Sequence, residues 1–214
     1  MLLMGVVWVR MGPTINVLSW NVRGLNFPDK RGNVKWVLRR CSCDVAILQE
    51  SKMEVISRSI AISLWGRHLV EQIHLPSMGR SGGIIILWNP KILELVDSRI
   101  GSFSVSCKFK SLEDNFEWGL IGVYGPNDDH LRCALFEELM SFMSFWDILW
   151  CLGGDFNVIR FPSGGRLTWA MRGFFAFIDS CNLIDPSLEG ARFTWFSHEV
   201  VLVLSRIDRF LYSV

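Results

Sequence analysis

"DILWCLGGDFNVI", residues 147–159, runs from a stretch of bulky apolar side chains through two glycines into an acid and an amide one residue apart. The apolar part reads as a buried strand, because it is short, rich in large hydrophobics and ends on glycine. A buried strand that ends on Asp155 and Asn157 places polar chemistry at the rim of a rigid sheet, where departing loops leave room for a ligand. Gly153 and Gly154 read as positions where backbone and substrate approach closely. Strand alternation would put Asp155 and Asn157 on one side and bury Phe156 on the other.

Working outward, short apolar runs alternate with segments of helical period. "INVLSW" (15–20), "DVAILQE" (44–50) and the stretches 68–73, 83–88, 92–97, 103–109 and 117–123 read as strands, bounded by Gly, Ser, Pro and Asn/Asp. "DKRGNVKWVLRR" reads as a helix with Val34, Val37, Leu38 and Cys41 on one face. A weaker helical stretch covers 54–64, and "DHLRCALFEELMSFMSF" (129–145) and "TWAMRGFFAFIDSC" (168–181) are two stronger ones. "RFTWF" and "SRIDRFLY" read as two closing strands. With so few helices between consecutive strands, the expected class is α+β, two mixed β-sheets packed face to face and flanked by helices.

The chain has 214 residues, enough for one α/β domain and short for two. Residues 1–13 are expected to form a poorly ordered extension and residues 14–214 the domain. Half of the residues are hydrophobic and ten are Trp, which excludes a disordered chain. A net charge of +1 decides nothing about polyanions, because a local basic patch can hide in the sum. Six cysteines form no C-x-x-C pair and four histidines show no metal-ligand spacing, so a zinc site is not expected. Cysteines in apolar stretches suggest reduced, buried thiols and an intracellular protein. "MLLMGVVWVR" is apolar but lacks the basic start of a signal peptide, and "GGIIILW" is too short to span a bilayer.

Polar residues recur where hydrophobic strands end. Asn21 follows "VLSW", Glu50 follows "VAILQ", Tyr124 and Asn127 follow "LIGV", and Asp155 and Asn157 follow "ILWCLGG". A single strand-ending Asn or Asp is usually turn chemistry. Four strand ends that together supply acid, amide and phenol groups point to a site.

The motifs "SWNVRGL", "LQESK", "GRSGGIIILW", "VYGPND", "GGDFN" and "SRIDRFL", in this order and spacing over residues 14–213, resemble the endonuclease/exonuclease/phosphatase superfamily, also called exonuclease III-like or AP-endonuclease-like. The wording is most similar to the endonuclease domain of plant non-LTR (LINE-type) retrotransposons. The resemblance implies a DNase I-like sandwich and hydrolysis of a phosphate ester with Mg²⁺, for which Mn²⁺ can substitute. It implies DNA as the partner, a monomer without membrane association, and an intracellular, nuclear location. A phosphoinositide, sphingomyelin or nucleotide phosphate ester is the alternative substrate within the superfamily, and "WNVRGL" with "SRIDRFL" favours DNA.

The same resemblance assigns roles. Glu50 matches the metal-binding glutamate, a hard oxygen ligand of the kind Mg²⁺ takes, and Asn21 matches a residue that holds metal shell and phosphate. Asp155 would act on the attacking water, Asn157 would hold a phosphate oxygen, and Tyr124 would contact the scissile phosphate. Asp208 in "SRIDRFL" matches the acid that orients a catalytic histidine. Asn127, Arg23 and Arg206 are candidate substrate contacts, with Lys30, Arg31, Lys52, Arg80, Arg166 and Arg209 as further cations for backbone phosphates. Arg23 stands where repair members carry an acid and retrotransposon members commonly carry Arg.

Family members continue past the "RIDRFL" strand to a Ser-Asp-His-x-Pro motif, whereas this sequence ends at Val214. His68, His74, His130 and His198 do not match that motif. The resemblance therefore implies a truncated, impaired endonuclease, with a non-catalytic relic that folds and binds metal or nucleic acid as the alternative.

Overall fold

The computed structural model describes residues 6–11, 15–78, 82–160, 167–187, 194–196 and 204–213. One five-stranded sheet has the order β1-β2-β3-β5-β4, built from β1 (Val6–Met11), β2 (Ile15–Asn21), β3 (Val45–Gln49), β4 (Glu71–Leu75) and β5 (Ile84–Trp88). β2 and β3 run parallel, joined by helix α1 (Pro28–Arg40), and the other neighbours are antiparallel. Helix α2 (Arg58–Trp65) links β3 to β4. Ser57 caps it by accepting from the Ile60 N–H, and Gly66 closes it in the left-handed conformation.

The second, six-stranded sheet has the order β10-β13-β9-β8-β7-β6. Its strands are β6 (Leu93–Ile100), β7 (Ser104–Ser111), β8 (Glu117–Tyr124), β9 (Leu149–Asp155), β10 (Leu183–Ile184) and β13 (Asp208–Ser213). Here the parallel pair is β8 and β9, joined by helix α3 (Asp129–Met143). Helix α4 (Trp169–Ser180) follows β9. A two-stranded ribbon pairs β11 (Trp195–Phe196) with β12 (Leu204–Ser205).

Three apolar clusters stack these layers. Val17, Val45, Ile47, Ile84 and Ile86 of the first sheet meet Cys107, Phe109, Trp118, Leu120, Cys151 and Phe210 of the second. The outer face of the first sheet packs Leu18, Ala46, Leu48 and Ile85 on α1 and α2 through Val34, Val37, Leu38, Ala61 and Leu64. The outer face of the second packs Ile121, Val123 and Leu152 on α3 and α4 through Leu135, Phe136, Leu139, Phe174 and Phe177. The expected pair of mixed sheets flanked by helices is what the chain forms. β3 and β5 are buried at every position, which is why they read as unbroken apolar runs.

Within residues 1–13, expected as a poorly ordered extension, Val6–Met11 pairs antiparallel with Ile15–Trp20 of β2. Val7 is buried in the inter-sheet core, so Val6–Met11 adds an edge strand to the first sheet. The paired glycines were expected to let backbone and substrate approach closely, and the close approach found is between protein groups. A Cβ on Gly153 would meet Phe210 and Ile47, and one on Gly154 would meet the Val123 carbonyl. They let the two sheets and the neighbouring strands close on each other.

Candidate active site

The two parallel pairs, β2/β3 in one sheet and β8/β9 in the other, deliver their carboxyl ends to the same edge of the sandwich. Asn21 and Gln49 are partners in the first pair, with Glu50 one residue on, and Tyr124 and Asp155 are partners in the second. β13 enters from the opposite direction, so its first residue, Asp208, lies opposite Asp155.

Asp155 is the hub. Its Oδ2 accepts from Asn21 Nδ2 at 3.0 Å, and its Oδ1 accepts from the Asn157 backbone N–H at 2.9 Å. Its carbonyl accepts from the Gly125 N–H at 2.6 Å, tying the exits of β8 and β9 together. Burial raises the Asp155 carboxyl above the ordinary carboxylate range, and the Glu50 charge adds to the rise. The Asn21 and Asn157 hydrogen bonds and the Arg23 guanidinium oppose it. Asp208 is raised well above that range, first by burial and then by the neighbouring Asp155, while a Thr194 hydrogen bond pulls the other way. Asp208 Oδ1 has no hydrogen-bond partner among the described residues.

Tyr124 is half-buried, and burial together with the Glu50 and Asp155 charges pushes its phenol up to about 12. It is a neutral hydroxyl at physiological pH and can donate. Glu50 has a left-handed backbone (φ 55°) and its Oε1 lies 2.8 Å from Lys52 Nζ. Asn21 Oδ1 accepts from the Arg23 N–H at 3.2 Å. Arg23 is exposed, yet its guanidinium acts on both Asp155 and Asp208.

The structure thus gathers Asn21, Arg23, Glu50, Tyr124, Asp155, Asn157 and Asp208. Asn157 is not on the strand: β9 ends at Asp155, and Asn157 takes a left-handed conformation (φ 50°) with Nδ2 donating to the Gly125 carbonyl at 2.6 Å. The expected strand alternation fails there, although Phe156 is fully buried as anticipated. Asn127 is exposed, and its carbonyl accepts from Arg132. Arg206 does not join the group, because its guanidinium is held by Asp185 at 2.8 Å and by the Pro186 carbonyl at 2.6 Å.

Of the other cations, Arg209 is buried on Asp185, Lys30 donates to the Arg23 carbonyl and Arg31 to the Leu25 and Asn26 carbonyls. Arg80, Arg166 and His198 lie outside the described residues. His68 and His130 are exposed, and His74 pairs with Gln72.

Two contributors were not anticipated. Thr194 Oγ1 accepts from the N–H groups of both Ile207 and Asp208 at 3.1 Å, which fixes the start of β13. Asp185, just before Pro186, collects Arg160, Arg206 and Arg209. An acid preceding proline carries no sign of burial, so only the arginines of "SRIDR" hinted at it.

Among the described residues no three His, Cys, Asp or Glu side chains converge as a metal cluster. The Glu50 carboxylate and the Asn21 amide oxygen are nevertheless hard donors at the mouth of the site, and Asp208 Oδ1 is an unused acceptor. Mg²⁺ takes one or two carboxylates and keeps its waters, so these oxygen donors fit Mg²⁺ or Mn²⁺. Among the described residues, no helix is long and apolar enough to cross a membrane.

The fold recurs in solved structures of low sequence identity. The AP endonuclease of Leishmania major superposes with a TM-score of 0.71 at 16% identity, over 98% of this chain and 84% of that one. An AP endonuclease of Archaeoglobus fulgidus gives 0.70 at 15% identity, over 94% and 87%. A mannosyl-6-phosphatase of Bacteroides thetaiotaomicron gives 0.67 at 17% identity, over 94% and 85%. No curated protein sequence matches. The sequence profile of the family described as Endonuclease/Exonuclease/phosphatase matches residues 18–214, nearly the whole chain, and the chain belongs to that family.

Proposed function

We propose that the chain is a divalent-metal-dependent phosphodiesterase acting on DNA, of the retrotransposon endonuclease type, and that it works at a reduced rate. The observation that carries this reading is the hydrogen-bonded set Asn21–Asp155–Asn157, with Tyr124 and Asp208 as the strand partners of Asp155. A bound Mg²⁺ at Glu50 and Asn21 would supply charge neutralisation at the phosphate oxygens. Asp155, with both oxygens held by donors and its proton affinity raised by burial, is oriented to take a proton from the attacking water. The neutral Tyr124 phenol donates to a phosphate oxygen. Arg23, exposed beside the two buried acids, meets the phosphate's negative charge, and "WNVRGL" with "SRIDRFL" supports DNA over a lipid ester.

The reduced rate follows from Asp208. Its Oδ1 has no hydrogen-bond partner among the described residues, and an acid/base that is not positioned costs about 10²–10⁴ in rate. The same unpartnered Asp208 Oδ1 favours the second reading, a protein that binds metal or nucleic acid without cleaving. Nicking of supercoiled plasmid at several Mg²⁺ concentrations separates the two. Mg²⁺-dependent nicking that Glu50→Ala and Asp155→Ala both abolish is the expected result. Folded protein that nicks no faster than these variants leaves only the binding reading.

A further inference from the structure

Glu50 and Lys52 are both in the left-handed region, at φ 55° each. The Lys52 N–H donates to the Gly82 carbonyl at 3.1 Å, and the Lys52 carbonyl accepts from Asn26 Nδ2 at 3.1 Å. Its methylene stem lies along Gly24, where an added Cβ would stand 3.3 Å from Lys52 Cδ. The Gly24 N–H in turn donates to the Glu50 carbonyl at 2.7 Å. These constraints bring the ammonium to 2.8 Å from Glu50 Oε1, with the two side chains 35% and 19% exposed. An ordinary exposed ion pair contributes little because two free chains must be immobilised. Here the backbone on both sides is already held, and the carboxylate concerned is the one that the metal reading above depends on.

A divalent ion bound by that carboxylate at Mg²⁺ ligand distance would approach the ammonium closely, and two cations at such range repel strongly in a partly buried setting. We propose that Lys52 is the resident counter-cation of Glu50, which divalent metal must displace to load the site. The inference rests on the metal reading and adds to it a residue that sets how readily metal enters.

Direct Mn²⁺ binding, read from loss of the free-ion EPR signal, tests this on the full chain. The variants are Lys52→Met, Lys52→Gln, Lys52→Arg, Glu50→Gln and the double variant Lys52→Met/Glu50→Gln, each checked for folding by circular dichroism. Both neutral variants are expected to tighten Mn²⁺ binding about 3- to 10-fold, whereas Lys52→Arg, which keeps the charge, stays near the parent. Two neutral variants are used so that failure of one to fold leaves the comparison standing. Unchanged or weaker binding in a folded neutral variant overturns the proposal, as does equal tightening in Lys52→Arg or a gain that persists in the double variant. Undiminished binding in Glu50→Gln alone instead overturns the metal reading, a separate result.

Discussion

Asp155 and Asp208 face each other as partners on adjacent antiparallel strands, each only 3% exposed. Burial raises both carboxyls, the Glu50 charge adding to the rise of Asp155 and the Asp155 charge to that of Asp208, which is raised the more strongly. A carboxyl that holds its proton more tightly when folded contributes stability that is complete below the unfolded value, about 3.9, and is lost as pH rises through the folded value. Asp208→Asn removes this titration. Thermal denaturation should find the variant stabilised relative to the parent at pH 8, with the advantage shrinking as the pH falls to 4. An advantage that grows toward low pH would contradict the assignment.

Gly125 connects the exits of β8 and β9. Its N–H donates to the Asp155 carbonyl, its carbonyl accepts from Asn157 Nδ2, and a Cβ there would collide with the Phe156 main chain. Backbone cannot swing aside as a long side chain can. Gly125→Ala should lower unfolding stability by about 1–3 kcal/mol in a denaturant titration. A neutral effect would mean that the two exits are not locked together.

Asp185 is the counter-ion of a buried arginine. Its side chain is 1% exposed and Arg209 is 3% exposed on it at 2.8 Å, with Arg206 and Arg160 at 2.8 and 3.1 Å. Asp185→Asn would leave these guanidinium groups without that charge. Breaking a buried pair from one side costs about 3–5 kcal/mol, which urea unfolding would register as a shifted midpoint with an unchanged slope.

Tyr124 should act as a neutral donor at every practical pH, since its phenol is pushed up to about 12. Tyr124→Phe is expected to slow plasmid nicking about 10²-fold, the usual cost of one lost oxyanion donor. The melting temperature should stay near that of the parent, and the parent's rate profile should show no inflection from Tyr124 between pH 7 and 10. Comparable nicking by the folded variant would remove Tyr124 from the site.

The layers are legible in the amino-acid pattern alone. Runs such as "VAILQ" and "IIILW" can satisfy neither solvent face, so they become strands buried on both sides, and the period of "DHLRCALFEELMSFM" makes a one-faced helix. Strand ends were equally legible, because a polar residue closing an apolar run marks where the sheet meets water, and this located Asn21, Glu50, Tyr124 and Asp155. That two parallel pairs from different sheets present those ends at one edge, with Asp208 arriving from the opposite direction, emerges from the packing of the folded chain. It also took Arg206 and Arg209 from the list of free cations and gave them to Asp185, turned Gly153 and Gly154 inward, and placed Val6–Met11 in the sheet. Periodicity records which face of an element is apolar. Which charge meets which carboxylate across 24 residues of chain, as Arg209 meets Asp185, depends on how the layers stack, and local pattern carries no trace of that.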